Sequence, residues 1–194
     1  MELQHINVKI HMAAPAEPRL DESILIFHRW IREKKTPEML IDVADYAHVP
    51  LGPGVMVIGH EASYSIDIGA ENRPGLLYNA KVKREGANAD RIAHALGQAV
   101  RAADLLEQDE LWKGKVKFQT DEIEIVVNDR LLAPNDPSTY EAVKGDIDEG
   151  IKRVLGANDF SAEYAQGDSR RRFTVIVRCS AGVSVGDLAS AVGA

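Results

Sequence analysis

Alternation of apolar and polar residues predicts most of the strands in this chain. Ile6, Val8 and Ile10 alternate with polar residues that include Lys9 and His11, which predicts a first strand with one face in water. Further strands are expected at residues 40–46, 55–58, 63–68 and 76–83. Because only short, turn-rich segments separate these four strands, we expect them to form an antiparallel meander.

Helical spacing of apolar residues predicts four helices. They cover residues 21–34, 89–108, 137–155 and 185–192, the third one ending at Gly156. Polar residues suited to capping stand at or near each start: Asp21, Asn88, Asp136 followed by Pro137, and Ser184 with Asp187.

The second half of the chain contains four further stretches of strand character. Residues 116–119 and 122–127 are expected to form a hairpin that turns at Thr120 and Asp121, with Lys117 facing Glu124 across it. A last hairpin, around Gly167 and Asp168, joins strands at residues 160–164 and 173–179.

The order of predicted elements favours an α+β fold. Consecutive strands with short connections indicate mainly antiparallel sheets, with amphipathic helices packed on one face. Residues 1–110 would form an N-terminal α+β region and residues 111–194 a C-terminal ββαββα region. One continuous domain is equally compatible with the sequence, because the segment between the two regions is only polar.

Composition and charge exclude several classes of protein. The chain has 194 residues, 45% of them apolar and 27% charged, which is typical of a folded domain and not of a disordered or collagen-like chain. The acidic net charge of −7 argues against nucleic acid as a partner. No leader segment and no apolar run of membrane-spanning length is present, so we expect a soluble, cytoplasmic protein with no membrane partner. The single cysteine, Cys179, is expected to be an inert, buried thiol.

The stretch from Asp42 to Asp67 concentrates the candidates for chemistry. Imidazole and carboxylate groups of His48, His60 and Asp67 could hold a divalent metal, although no cofactor is predicted outright. The candidate catalytic residues are Asp42, as a general base, together with His60 and Glu61. The alternative is structural: His60 and Glu61 form a solvated turn, His48 lies in a loop, and Asp42 caps nearby amides.

Ligand contacts are predicted at a second set of residues. The candidates are Tyr46, Tyr64, Asn128 and Arg130, the last two in a polar link between a strand and a helix. Arg170, Arg172 and Arg178 could grip an anion, or pair with local acids such as Glu163.

Two hypotheses for function follow. The favoured one is a non-catalytic module that binds a small molecule or a protein, because the sequence shows no combined nucleophile, base and orienting group. The alternative is a metal-assisted or acid–base, hydrolase-like enzyme using His48, His60 and neighbouring carboxylates. The small, apolar closing segment 182–194 and the exposed strand edges also favour a homo-oligomer.

Overall fold

The computed structural model describes residues 1–14, 19–50, 52–69, 72–156, 159–179 and 182–192. Within these ranges the chain forms eight strands and four helices. In chain order they are β1 (Ile6–Met12), α1 (Leu20–Glu33), β2 (Leu40–Tyr46), β3 (Gly54–Gly59), β4 (Ala62–Asp67), β5 (Gly75–Ala80), α2 (Asn88–Gln108), β6 (Phe118–Val127), α3 (Pro137–Leu155), β7 (Phe160–Tyr164), β8 (Phe173–Cys179) and α4 (Val185–Val192).

All eight strands belong to one antiparallel sheet. Their order across the sheet is β2-β3-β4-β5-β1-β6-β8-β7, so the predicted meander occupies one side. The first strand of the chain, β1, lies between β5 and β6 and pairs with both. The α+β class with an antiparallel sheet is confirmed. The division into regions 1–110 and 111–194 stays a prediction.

The helices pack against one face of the sheet. On α1, Trp30 meets Tyr64 of β4 edge to face, with ring centroids 5.7 Å apart. The buried stripe of α2 covers β1 and β5, and Tyr140 of α3 stacks on Tyr164 of β7 at 6.1 Å. Helix α4 packs mainly on α2. The opposite face of the sheet, which we call the open face, therefore carries no helix from the described part of the chain. None of the described helices is long and apolar enough to cross a bilayer.

The predicted hairpin at residues 116–127 is wrong. Strand β6 runs without a turn through Thr120 and Asp121, and it pairs with β1 on one side and β8 on the other. Two partner strands satisfy its backbone groups on both edges, which a hairpin at this point would not allow. Lys117 does not face Glu124, since its Nζ donates to Glu107 Oε2 at 2.7 Å.

Two of the four predicted helix caps are confirmed. Asp136 accepts a hydrogen bond from the Thr139 N–H at 2.9 Å at the start of α3, and Pro137 follows it in the first turn. At α4 the Ser184 hydroxyl and the Asp187 carboxylate bond reciprocally to each other's backbone N–H, at 3.1 Å in each direction.

The other two cap predictions are wrong. Helix α1 begins at Leu20, and Asp21 lies inside its first turn. At α2, Asn88 lies within the helix, and its Oδ1 accepts the N–H of Leu3 at 2.8 Å. The capping carboxylate is that of Asp90, which accepts the N–H of Ala87 at 2.7 Å. A contact with the distant N-terminal segment has thus displaced the local role expected of Asn88.

Candidate functional site

The polar residues of β1 lie on the open face, and the structure buries them. Asn7, Lys9 and His11 are only 1%, 6% and 2% exposed, so the prediction of a water-exposed face is wrong. The cause is the central position of β1. Side chains of both flanking strands stand beside those of β1, and Lys9 lies between Leu77 of β5 and Glu124 of β6. A charged group buried in this way is destabilising unless it is paired.

An ion pair and a histidine–carboxylate hydrogen bond partner the two basic side chains, Lys9 and His11. Lys9 Nζ donates to Asp67 Oδ2 at 2.7 Å, which ties β1 to the end of β4. His11 Nε2 lies 2.8 Å from Glu124 Oε1 on the neighbouring strand β6. Both basic side chains are less than 10% exposed, so solvent screens these contacts much less than it screens a surface pair.

The donor and the acceptor of the hydrogen bond between His11 and Glu124 can be assigned. Its hydrogen bond with His11, followed by the nearby charges of His11, Lys9 and Arg73, holds the pKa of Glu124 below its ordinary value. An ionised carboxylate only accepts hydrogen bonds, so His11 donates from Nε2. His11 Nδ1 is buried and has no hydrogen-bond partner among the described residues, and the same holds for Asn7 Oδ1.

A cleft of about 760 Å³ lies over this part of the open face. Lys9, His11 and Glu124 line it. Val126 of β6 and Ile176 of β8 are diagonal neighbours that form a short apolar stripe, while Leu77 of β5 lies on the far side of Lys9 and Glu124. The cleft therefore combines an apolar surface with buried charged groups that are held in fixed positions.

The two ends of the cleft differ in charge balance. At one end, Arg73 NH1 donates to Glu122 Oε1 at 2.8 Å, so its charge is neutralised. At the other end, Arg130 donates to the backbone carbonyl of Arg170 at 2.8 Å and to no other described residue. Arg171 and Arg172 line the same end, are exposed, and form no ion pair with any residue of the described chain.

We call Arg130, Arg171 and Arg172 the arginine end of the cleft. Arg170 is not counted with them, because its guanidinium is bound to Asp168 at 2.5 Å. Three guanidinium groups without a carboxylate partner leave the arginine end with a local positive charge on a protein whose net charge is −7.

Five of the residues predicted from sequence line this cleft, since Arg170 and Arg172 join Asp67, Asn128 and Arg130 there. Asp67 is the partner of Lys9, while Asn128 and Arg130 follow the end of β6. Asp67 was predicted as a metal ligand, and the structure places it in an ion pair. Asn128 and Arg130 were predicted as ligand contacts, and both line the cleft.

The structure does not bring the remaining candidates to the cleft. His48 precedes β3 and His60 follows it, so the length of a six-residue strand, about 20 Å, separates them. Asp42 is exposed on the edge strand β2, where its carboxylate accepts the N–H of Val43. Tyr46 is exposed too, its ring centroid 6.4 Å from that of His48.

Glu61 and Tyr64 lie on the other side of the molecule. Glu61 is exposed and lines a cavity beside α2, and Tyr64 is buried with its hydroxyl bonded to Glu38. In the described ranges no three His, Cys, Asp or Glu side chains are grouped so that they could hold a metal ion.

The floor of the cleft, formed by side chains of β1 and β6, was not predicted from the sequence. Lys9, His11 and Glu124 stand at ordinary polar positions of alternating strands, and that pattern is the same whether a strand ends at the edge of a sheet or in its centre. The run of arginines at 170–172 is visible in the sequence, but its position beside Lys9, His11 and Glu124 is not.

Comparison with models of protein families, with curated proteins and with solved structures found no match. The chemistry of the cleft is therefore the basis for proposing a function.

Proposed function

We propose that the protein is a non-catalytic binding module for a small organic anion with an apolar body, held in the cleft on the open face. The observation that supports this most directly is the arginine end: Arg130, Arg171 and Arg172 form no ion pair with any carboxylate of the described residues. Guanidinium groups bind carboxylate, phosphate or sulfonate oxygens in bidentate fashion, so an anionic group fits this end.

The rest of the cleft suits the apolar body of such a ligand. Val126 and Ile176 form a short apolar stripe beside the arginine end, and Leu77 adds apolar surface beyond Lys9 and Glu124. A volume of about 760 Å³ lies within the range of pockets that bind small molecules. Burial of apolar ligand surface on the stripe would supply affinity, and the arginines would orient the ligand.

The pairing of charged side chains in the cleft favours binding over catalysis. Lys9 is already bonded to Asp67, and Arg73 to Glu122, so neither cation is available as a free reactive group. No serine or cysteine lines the cleft among the described residues, so those two nucleophiles are not at hand there.

A fluorescent probe tests the proposal. The probe 8-anilinonaphthalene-1-sulfonate combines a sulfonate with apolar rings, and its emission rises when it leaves water. We expect saturable binding to the wild-type protein and a loss of about tenfold or more in affinity when Arg130, Arg171 and Arg172 are all changed to Gln, since hydrogen bonds to charged groups are worth about 1.5–3 kcal/mol.

The matched control removes three charges elsewhere. Lys113, Lys144 and Lys152 are exposed and outside the cleft, so the variant with all three changed to Gln has the same net charge as the test variant. Its affinity for the probe should equal that of the wild type. Equal affinity of the arginine variant and the wild type would overturn the proposal.

A second candidate function is acid–base catalysis, and the His11–Glu124 pair favours it. An imidazole oriented by a carboxylate is a common general base, and this pair lies in the cleft. Hydrolysis of p-nitrophenyl acetate is a simple assay. Turnover that is lost in His11→Gln and kept in the exposed-surface control His28→Gln would support an enzyme; no turnover above buffer would leave the binding module as the better account.

A further inference from the structure

A second cavity, of about 180 Å³, lies on the helix side of the sheet between β5 and α2. Glu38, from the connection between α1 and β2, lines it together with Tyr78 of β5 and His94 of α2. The sheet separates this cavity from the cleft on the open face, so a ligand bound here would be independent of the function proposed above.

Glu38 is the unusual group in this cavity. It is only 7% exposed, and one of its oxygens, Oε2, accepts a hydrogen bond from the Tyr64 hydroxyl at 2.8 Å. The other oxygen, Oε1, is buried and has no hydrogen-bond partner, and Glu38 forms no ion pair with any described residue. Buried polar groups are normally satisfied, so this carboxyl group lacks a donor that a ligand could supply.

The one buried cation among the described lining residues, Arg91, is already paired with Glu2 at 3.0 Å, and the interior polar groups other than Glu38 are uncharged. Burial, together with the charges of Arg84 and Arg101, lowers the pKa of His94 to about 4, so its imidazole is neutral at pH 7. Burial and the nearby Glu38 raise the pKa of Tyr78, which therefore stays a neutral phenol. The interior thus favours a group that brings its own donors and a positive charge.

The rim of the cavity carries more positive than negative charge, since the exposed charged side chains that line it are Lys83, Arg84 and one carboxylate, Glu61. Lys83 and Arg84 are exposed, line the cavity, and form no ion pair with a described residue. The backbone of Arg84 is fixed, because its N–H donates to Gln4 Oε1 at 3.0 Å and its carbonyl accepts from Arg91 Nε at 2.7 Å. Two cations on a positioned loop would repel a purely cationic ligand and attract an anionic group.

We propose that this cavity binds a small zwitterion, with an ammonium group bonded to Glu38 and a carboxylate held by Arg84 and Lys83. An ammonium group donates three hydrogen bonds and so meets the need of Glu38 Oε1. The volume corresponds to about six water molecules at roughly 30 Å³ each, which fits an amino acid with a short side chain.

Three probes of similar size separate the contributions of the two charges. L-Alanine carries both groups, ethylamine carries only the ammonium, and propionate carries only the carboxylate. Each is titrated into the full-length protein by calorimetry, while the ring resonances of His94 are followed by NMR. We expect saturable binding of L-alanine with shifts of the His94 resonances, and binding at least about tenfold weaker for ethylamine and propionate, since each lacks one charged contact.

Two variants assign the charges to residues. Glu38→Gln should weaken L-alanine binding by about tenfold or more, and Glu141→Gln, an exposed carboxylate on α3, is the matched control that should not. Arg84→Gln should remove the preference for L-alanine over ethylamine. Because Arg84 is exposed, this variant keeps the proposal testable if Glu38→Gln does not fold.

Several outcomes would overturn the proposal. Absence of L-alanine binding would do so, as would equal binding of L-alanine by Glu38→Gln and the wild type. Propionate binding as strong as that of L-alanine would mark an anion site at Lys83 and Arg84 instead. Binding without any change in the His94 resonances would place the ligand in another part of the molecule.

Discussion

The imidazole of His11 and the carboxylate of Glu124 show how the sheet accommodates polar groups in its interior. Each lies on a central strand, and each is the hydrogen-bond partner of the other, at 2.8 Å. The hydrogen bond with His11, helped by Lys9 and Arg73, favours the ionised form of Glu124 and lowers its pKa. Because the unfolded chain lacks these contacts, ionisation of Glu124 is linked to folding.

We predict that this linkage appears as acid sensitivity. A carboxyl whose pKa is lowered in the folded protein contributes stability above its unfolded pKa, which is lost as the pH falls through the folded pKa. Glu124→Gln should therefore cost about 1–2 kcal/mol at pH 7 and reduce the loss of stability between pH 5 and pH 3. Urea unfolding at a series of pH values measures both effects. An unchanged pH profile in Glu124→Gln, relative to Glu141→Gln, would contradict the assignment.

At the scale of helices and strands, the contact between α2 and α3 depends on a glycine, Gly150. A Cβ built at Gly150 of α3 would lie 2.8 Å from Ile92 Cβ and 2.9 Å from the carbonyl oxygen of Ala89, both on α2. Gly145, one and a half turns earlier on the same helix, would have nothing within 4 Å of its Cβ. The two glycines therefore lie on the same helix, but only Gly150 lies against another helix in the described structure.

These two positions make a matched pair of alanine substitutions. Gly145→Ala should raise the free energy of unfolding by about 0.5–1 kcal/mol, because alanine favours helix. Gly150→Ala should lower it by about 1–3 kcal/mol, because the added methyl group forces the helices apart. Chemical denaturation of both variants is the measurement. Stabilisation by both substitutions would show that α2 and α3 are not packed as closely as described.

For the whole molecule, the pairing of β1 with β6 joins the strands of the two parts of the chain, and the packing of α2 on α3 and α4 joins their helices. The strand pairing makes a single sheet, and the buried apolar residues form a continuous core that includes Trp30 and Trp112. Trp30 belongs to α1, and Trp112 to the connection between α2 and β6. Because both indole rings are buried in this core, each reports on the packing around it.

We predict a single cooperative unfolding transition. Trp112→Phe leaves Trp30 as the only indole, and Trp30→Phe leaves Trp112. In each variant, the urea midpoint from fluorescence should coincide with the midpoint from circular dichroism. Separate transitions for the two indoles would indicate that regions 1–110 and 111–194 unfold independently.

The homo-oligomer expected from the sequence also concerns the whole molecule, and it stays a prediction. Strands β2 and β7 form the two edges of the sheet, and Ile41 on β2 is 59% exposed. Light scattering on the purified protein decides the oligomeric state.

The local pattern of residues determined the type and position of most elements. The bounds of α3 follow from the cap at Asp136, the proline after it and Gly156 at its end, and those of α4 from Ser184 and Asp187. Side-chain periods and caps act over a few residues, so the sequence carries them directly. The turn predicted at Thr120 failed because β6 continues through a register shift at this point, and two strands distant in sequence, β1 and β8, pair with its residues from Ile123 to Val127.

Only the tertiary structure decided which polar residues form a site. Strand order placed β1 in the centre, buried Lys9 and His11, and brought Asp67 and Arg130 to the same cleft. The separation of His48 and His60, in contrast, is local, because strand β3 lies between them in the chain. An alternating pattern specifies which residues share a face of a strand, but the neighbours of that strand depend on how the whole chain packs.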